Sequence, residues 1–143
     1  MSGELLEVTD RTLDVRFYED ADYEVINQWW NDNNSSDFFP RDYLDDVTGI
    51  IIELDGEPAC ACFMFAASKK VSWMEFVVCD PEIRREDREM VLDGMIKSGT
   101  NWAKLNGFGL VISTTEYDTQ LKRLESNGYL PIGRPHTHTF RRL

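Results

Sequence analysis

Apolar residues alternate with polar ones, or run together, in short segments that predict β-strands. The clearest are the run from Val71 to Cys79 and the alternation of Leu13, Val15 and Phe17 with polar neighbours. Two further runs flank Asp55-Gly56, a dipeptide typical of a tight hairpin. The predicted strands are residues 12–18, 50–54, 59–65, 71–79, 108–114 and 137–143.

Helical spacing predicts a helix after the first strand. Asp20 or Asp22 is suited to cap it, and the turn-forming residues 31–36 should end it. Residues 38–44 then predict an aromatic-rich loop or a short second helix. The predicted buried face of the first helix consists of Ile26, Trp29 and Trp30.

Two more helices are predicted in the second half of the chain. The longer one follows strand 71–79 and ends at Asn106-Gly107, a pair typical of a helix end. The shorter one, capped by Asp118, should bury Leu124 and stop at Asn127-Gly128. The apolar stripe of the longer helix consists of Met90, Val91, Gly94, Met95, Ser98 and Trp102.

The order of these elements is a strand, one or two helices, three strands, and then helix, strand, helix and strand. An antiparallel meander followed by crossover helices indicates an α/β fold with a mixed sheet. With 143 residues, 42% hydrophobic and 12% aromatic, the chain can bury one proper core, so we expect a single domain over residues 1–143.

Composition also bears on the cellular compartment. No apolar run approaches the roughly 20 residues needed to span a bilayer. The first residues, MSGELLEVTD, lack the basic and apolar regions of a secretory signal. Cys60, Cys62 and Cys79 lie in strand-like apolar runs, and their odd number is typical of buried reduced thiols. We therefore expect a cytoplasmic protein without a disulfide framework.

The net charge of −11 argues against a nucleic-acid partner, because such binding depends on Lys and Arg neutralising phosphates. It permits a basic partner, and DNA mimicry by an acidic surface is one interpretation. The acids are, however, interspersed with many aromatics and 15 basic residues. The simpler interpretation is that the charge keeps the protein soluble.

Three short segments carry a resemblance to a known enzyme superfamily. Residues 77–84, VVCDPEIR, match a strand followed by Pro-Glu-x-Arg; residues 101–108, NWAKLNGF, match the end of a main helix; residues 124–129, LESNGY, match a closing Tyr-Glu-Lys-Leu-Gly-Phe box. With the order of elements, they resemble the GNAT superfamily of acetyl-CoA-dependent N-acyltransferases over nearly the whole chain. The resemblance implies a sheet of about six to seven strands flanked by helices. Strands 71–79 and 108–114 would form a parallel pair that splays toward its C-terminal ends, with acetyl-CoA between them.

A narrower resemblance involves other segments. Trp29-Trp30, Gly56-Glu57-Pro58, residues 72–78 and Thr137-His138 resemble a group of GNAT-like proteins often borne by phages. In that group, too, a charged segment replaces the glycine-rich phosphate loop. No substrate is implied by this narrower resemblance.

The superfamily's phosphate loop, Arg/Gln-x-x-Gly-x-Gly, falls on RREDRE, so that Asp87 and Glu89 replace both glycines. Glycine lets backbone amides approach a phosphate, whereas a carboxylate obstructs and repels it. Helix N-terminal amides would remain, and Arg84, Arg85 and Arg88 can offset the acids. The resemblance makes these five residues candidates for contact with coenzyme A. The alternative is a solvated helix face whose charges pair with one another.

The resemblance also implies roles in the reaction itself. Glu75 lies six residues before Pro81, where GNAT members commonly keep a carboxylate that deprotonates the amine through water. By alternation it shares a face with Trp73 and Val77, where it would be poorly solvated. The alternative is an ion pair with a basic residue across the sheet. The backbone near Val77 and Val78 would stabilise the oxyanion.

A second departure concerns the general acid. Leu124 stands where the superfamily often has the tyrosine that protonates the departing thiolate, which leucine cannot do. Tyr117, just before the Asp118 cap and near the splayed strands, is a candidate replacement by elimination.

Aromatic residues after the first helix are candidates for an acceptor pocket, because this region bounds the pocket in GNAT folds. Phe38, Phe39 and Tyr43 are the pocket candidates, whereas Trp29 and Trp30 should belong to the core. His136 and His138 alternate on the last predicted strand. With no third ligand nearby, we expect a wet edge strand and no metal site.

The leading interpretation is an enzyme that transfers an acetyl group from acetyl-CoA to a primary amine of a small molecule or peptide by direct attack. One alternative is a non-catalytic GNAT-fold module that binds a protein partner, and a third is an acidic inhibitor of nucleic-acid-binding proteins. Expected partners are the amine acceptor and, as an option, a second copy in a homodimer, with neither nucleic acid nor a membrane.

Overall fold

The computed structural model describes residues 11–38, 40–132 and 141. The chain divides into two compact units, one up to Ser113 and one from Thr114 onward. Phe39, His136, His138 and, apart from Arg141, the predicted strand 137–143 lie outside the described residues. The expectation of a single domain stays a prediction. Within the described part, no helix is both long and apolar enough to cross a bilayer.

The first unit is built on one mixed sheet, as predicted. Its strands follow one another in sequence order; the first three pairings are antiparallel and the last is parallel. The predicted count of six to seven strands is not matched by the described residues, which form five. The strands are β1 Leu13–Phe17, β2 Thr48–Leu54, β3 Glu57–Ala66, β4 Val71–Cys79 and β5 Leu110–Ser113.

The predicted hairpin between β2 and β3 is confirmed. Asp55 and Gly56 have φ angles of 52° and 85°, so both central residues of the turn are left-handed, as a two-residue hairpin requires. The Asp55 carboxylate accepts a hydrogen bond from the Thr12 amide at 2.8 Å. This bond ties the turn to the segment that precedes β1.

The helices are α1 Tyr23–Asn34, α2 Arg85–Leu105 and α3 Asp118–Ser126. In α1, Ile26 and Trp29 are buried as predicted, and the helix ends where Ser35 adopts a left-handed conformation with φ of 54°. The predicted stripe of α2 is partly wrong, because Gly94, Ser98 and Trp102 are only half-buried. The buried apolar and small residues of α2 are spaced three and four positions apart along the helix. They are Val91, Leu92, Met95, Ile96, Gly99 and Ala103.

The two longer helices cover opposite faces of the sheet. On one face, α2 approaches so closely that a Cβ at Gly99 would lie 2.9 Å from the Met74 sulfur. On the other, Ile26 and Trp29 of α1 pack with Phe63 and other buried residues in one cluster. Burial raises the pKa of the Cys62 thiol, which lies in the core between strand and helix as a free cysteine.

A partly buried ion pair fixes the start of α1 against the sheet. The Arg16 guanidinium donates two hydrogen bonds of 2.8 Å to the two Asp22 carboxylate oxygens and a third of 2.9 Å to Glu53. The hydrogen bonds from Arg16 lower the pKa of Asp22 against the opposing effect of burial. Asp22 also accepts the Glu19 amide, so one carboxylate orders both β1 and the turn into the helix.

Candidate active site

The parallel pair β4 and β5 opens partway along its length. Pairing runs from Val71 opposite Leu110 to Met74 opposite Ser113, and β5 then ends. The Ser113 hydroxyl donates to the Met74 carbonyl at 3.1 Å, while β4 continues to Cys79. The β4 backbone from Glu75 onward is therefore not paired with β5. A strand edge that extends past the end of its neighbour can offer backbone donors and acceptors to an extended ligand.

A β-bulge lies in β4 at the same level. On the β3 side, Phe63 pairs with Glu75 but Ala61 pairs with Val78, so β4 contains one extra residue. Phe76 adopts a left-handed conformation with φ of 54°, which is rare for a bulky side chain. Such bulges redirect backbone groups away from the ladder and are frequent beside active sites.

Aromatic packing holds the strained residue in place. The Phe76 ring lies 5.7 Å from Trp30, 5.6 Å from Phe38 and 5.9 Å from Phe65, measured between ring centroids. Left-handed residues of this kind persist only where the surrounding structure over-determines them. Phe38 itself is 4% exposed, so the structure places this predicted pocket residue in the core.

The prediction that Val77 shares a face of the sheet with Glu75 is wrong, because the bulge lies between them. Alternation along an unbroken strand would place Val77 beside Glu75, but the extra residue reverses the alternation beyond this point. Val78, and not Val77, joins the core cluster with Ile26 and Phe38. Glu75 is half-buried, with Phe63 as its cross-strand partner.

The turn after β4 leads into α2 without any glycine. Asp80 organises the turn: its carboxylate accepts the Glu82 amide at 3.0 Å and its carbonyl accepts the Ile83 amide at 3.2 Å. Arg84 precedes the helix in an extended conformation, and α2 begins at Arg85. The first amides of an α-helix have no intrahelical partner, so this end of α2 can receive an anion.

Asp87 is enclosed within the protein. It is 5% exposed and accepts hydrogen bonds from Arg11 at 2.8 Å and from Arg84 at 3.1 Å. Arg11 also binds Asp55 in the β2–β3 turn, so its guanidinium bridges two carboxylates. The carboxylate that replaces the first glycine is thus neutralised by two cations. Glu89, which replaces the second glycine, is exposed.

The three arginines of this segment differ in their contacts. Arg84 is occupied by Asp87 and lies 3.9 Å from Glu86. Arg88 donates to the Pro81 carbonyl at 3.2 Å, while its buried Nε has no hydrogen-bond partner among the described residues. Arg85 is exposed, and no residue in the described ranges forms an ion pair with it. Arg85 therefore has the most accessible positive charge at the start of α2.

Two further residues predicted for the site, Tyr43 and Tyr117, are both exposed. Tyr43 is 51% exposed and belongs to a short 3-10 turn, Arg41–Leu44. Tyr117 belongs to the second unit, where it immediately precedes α3 and is 58% exposed, and Leu124 of the same unit is 3% exposed. The roles assigned to Tyr43 and Tyr117 stay predictions.

A depression of about 360 Å³ lies elsewhere in the first unit. It is bounded by Phe17, Gly49, Trp102 and Asn106, so it lies at the C-terminal end of α2, whereas the bulged strand leads into the N-terminal end. None of the predicted site residues lines it. Among the described residues, no group of three or more His, Cys, Asp or Glu side chains could hold a metal ion.

Two features of this site have no clear signal in the sequence. The bulge falls in Phe76-Val77-Val78, a segment without the glycine that often marks a left-handed position. The partner of Asp87, Arg11, is 76 residues away along the chain. Neither local spacing nor composition connects the two.

Known structures share this fold. An acetyltransferase from Trypanosoma brucei superposes with a TM-score of 0.69 at 15% identity, covering 90% of this chain and all of the other. A glucosamine-6-phosphate N-acetyltransferase from Arabidopsis thaliana gives a TM-score of 0.67 at 17% identity, covering 91% and 99%. The same values hold for AAC(6')-Iy in complex with the bisubstrate analogue CoA-S-monomethyl-acetylneamine.

These likenesses show that the chain has the fold of GNAT N-acetyltransferases, as the sequence resemblance implied. At such identities they establish the fold and leave the activity to be argued from the site. No protein-family model matches the chain, and a search of curated proteins gives no match.

Proposed function

We propose that this protein is an N-acetyltransferase that transfers the acetyl group of acetyl-CoA to a primary amine. The observation that carries the proposal is the coincidence of two features of β4. Its pairing with β5 stops at Met74, and two residues later the bulge at Phe76 turns its backbone. A strand edge that extends past β5, beside a turned backbone, suits a ligand that lies along the strand and presents a carbonyl oxygen to an amide.

The residues at the start of α2 fit the phosphate end of the same cosubstrate. The helix N-terminus supplies unpaired amides, and exposed Arg85 supplies charge. The acid that replaces the first glycine is compatible with this role because Arg11 and Arg84 neutralise it. Acetyl-CoA supplies an activated thioester, and the chain's task is to hold it along the β4 edge.

Glu75 is the residue that we assign as general base. It precedes the bulge directly, follows the last residue of β4 that pairs with β5, and is half-buried, so a carboxylate there is partly shielded from water. Its role is to accept the proton that the amine loses as it attacks. The backbone amides at Val77 or Val78 would donate to the oxygen on which negative charge develops.

The test of this proposal is Glu75→Gln, with Glu57→Gln as the matched control on an exposed end of β3. Acetyl transfer should be followed as release of the coenzyme A thiol, with an amino sugar, an aminoglycoside, a polyamine and a peptide N-terminus as acceptors. Glu75→Gln should lower kcat by roughly 10²–10⁴-fold at neutral pH, with acetyl-CoA affinity and Tm unchanged. The loss should shrink as pH rises, because the free amine becomes abundant.

The opposite pattern would contradict the assignment. A fall in Tm with the rate of the folded fraction intact would mean that Glu75 serves as a structural ion-pair partner.

A non-catalytic GNAT-fold module is the second candidate, and Leu124 favours it. This residue is buried and cannot donate a proton to a departing thiolate. Binding of acetyl-CoA without turnover of any acceptor would support this second candidate. Loss of binding in Arg85→Glu would still place the ligand at the start of α2.

A further inference from the structure

The edge strand β1 exposes apolar side chains that its own fold leaves uncovered. Val15 is 56% exposed and Phe17 is 62% exposed, on the same face as Leu13, whose side chain would lie 3.6 Å from a Cβ at Gly94 of α2. Within the described ranges, β1 pairs only with β2. An unprotected edge strand with exposed apolar residues is a template for pairing with another strand.

The backbone of β1 has a defined side that faces away from β2. The Tyr18 amide donates to Gly49 and the Thr12 carbonyl accepts from Asp55, so even-numbered residues direct their main-chain groups toward β2. By the alternation of an antiparallel ladder, Leu13, Val15 and Phe17 direct theirs outward. The residues with exposed apolar side chains are thus the ones whose amides and carbonyls point to the free edge.

We propose that β1 pairs with β1 of a second copy of this chain, antiparallel, about a two-fold axis at Val15. In this register Val15 lies opposite Val15 of the second copy, and Leu13 lies opposite Phe17. Because Leu13, Val15 and Phe17 are all apolar and equally spaced about Val15, each of them lies opposite an apolar residue of the second copy. Three outward-facing pairs, with two bonds each, give about six backbone hydrogen bonds.

The charges on the other face fit the same register. Rotation about Val15 places Asp14 of one copy opposite Arg16 of the other, and the reverse. Within one chain, Asp14 lies directly opposite Glu53, an unfavourable pairing of like charges. Arg16 of the second copy, while it remains bound to its own Asp22 and Glu53, would lie beside Asp14 of this acidic pair. Any other register would lose either the apolar match or this charge match.

The size of the strand sets the strength of the association. β1 has only five residues, so the surface that it can bury is far smaller than the roughly 800 Å² per partner of a standard stable interface. The dimer should therefore form reversibly and depend on concentration. Sedimentation velocity over a concentration series should show the average mass rising from 16.6 kDa toward twice that value.

The first variant to test is Val15→Glu, which would place the carboxylates of the two copies directly opposite each other across the two-fold axis. It should raise the dimer dissociation constant by at least about tenfold, because it adds like-charge repulsion and removes apolar contact. The matched control is Val25→Glu, also at a partly exposed valine but on α1. It should leave the dissociation constant unchanged.

A cross-linking experiment tests the register. Under mild oxidation Val15→Cys should form a covalent dimer, because residues on the axis face themselves at about 5.5 Å between Cα atoms. Phe17→Cys should not, since Phe17 faces Leu13 of the other copy. The wild type, with its native cysteines, is treated in parallel and should remain uncross-linked.

Three results would overturn the proposal. They are a wild type that stays monomeric up to millimolar concentration, a dimer unaffected by Val15→Glu, and equal cross-linking at positions 15 and 17.

Discussion

Replacing Asp87 by asparagine tests whether this acid blocks or supports the start of α2. Asp87 is 5% exposed and accepts one hydrogen bond from each of two guanidinium groups. Asparagine keeps the shape and one acceptor oxygen, so the substitution removes charge with little change in volume. It separates the electrostatic role of Asp87 from its packing.

The expected cost follows from the contacts. Replacing two charge-assisted hydrogen bonds by neutral ones costs about 0.5–1 kcal/mol each, a value reduced because Arg84 is largely exposed. Loss of a negative charge in the first turn of α2 adds about 0.3–1 kcal/mol. The total is about 1–3 kcal/mol, which corresponds to a fall in Tm of about 4–10 °C for a chain of this size.

Urea unfolding followed by circular dichroism measures the stability change, and calorimetry on the folded variant measures acetyl-CoA affinity. Glu86→Gln is the matched control, because Glu86 lies in the same turn and near the same arginine but is exposed. The control should change stability by less than about 0.5 kcal/mol. Unchanged stability in Asp87→Asn, together with acetyl-CoA binding at least about fivefold tighter, would refute the reasoning and show that the carboxylate repels phosphate.

Further predictions concern stability and its pH dependence. Gly49→Ala should destabilise the protein by about 1–3 kcal/mol, since its Cβ would clash with the Tyr18 Cβ. Gly94→Ala, whose Cβ would lie in ordinary contact 3.6 Å from a Leu13 side-chain carbon, should stabilise the protein by about 0.5–1 kcal/mol; equal effects in thermal melts would contradict this contrast. Because the hydrogen bonds from Arg16 lower the pKa of Asp22, the stability that this carboxylate contributes is present above its ordinary pKa of 3.8 and is lost as pH falls through the lower folded value. Asp22→Asn should therefore be less stable than the wild type at neutral pH, and the difference should narrow in denaturation below about pH 4; a constant difference would contradict it.

The elements were predictable where local signals decide them. Asp55-Gly56 fixed the hairpin, and strand 71–79 was predicted with the boundaries that the structure shows. These features depend on residues that are neighbours in sequence, where turn chemistry and apolar runs are informative.

The parts that escaped prediction depend on tertiary contacts. The bulge at Phe76 arises where an aromatic cluster from α1 and β3 holds a left-handed residue, and nothing in its own segment requires it. Asp87 looked like an obstacle to phosphate because its partner Arg11 lies far away in the sequence. Phe38 was assigned to a pocket because its aromatic partners, Phe63 and Phe76, are also distant in sequence. Its ring contacts with them place it in the core.

The central claim, that the β4 edge and the start of α2 hold acetyl-CoA, is tested most directly by isothermal titration calorimetry. Acetyl-CoA titrated into the protein at low ionic strength should give saturable binding with one ligand per chain. Arg85→Glu should weaken that binding by roughly tenfold or more without a change in Tm, because Arg85 is exposed and has no ion-pair partner among the described residues. Absence of binding by the wild type at millimolar acetyl-CoA, or affinity unchanged in Arg85→Glu, would contradict the account.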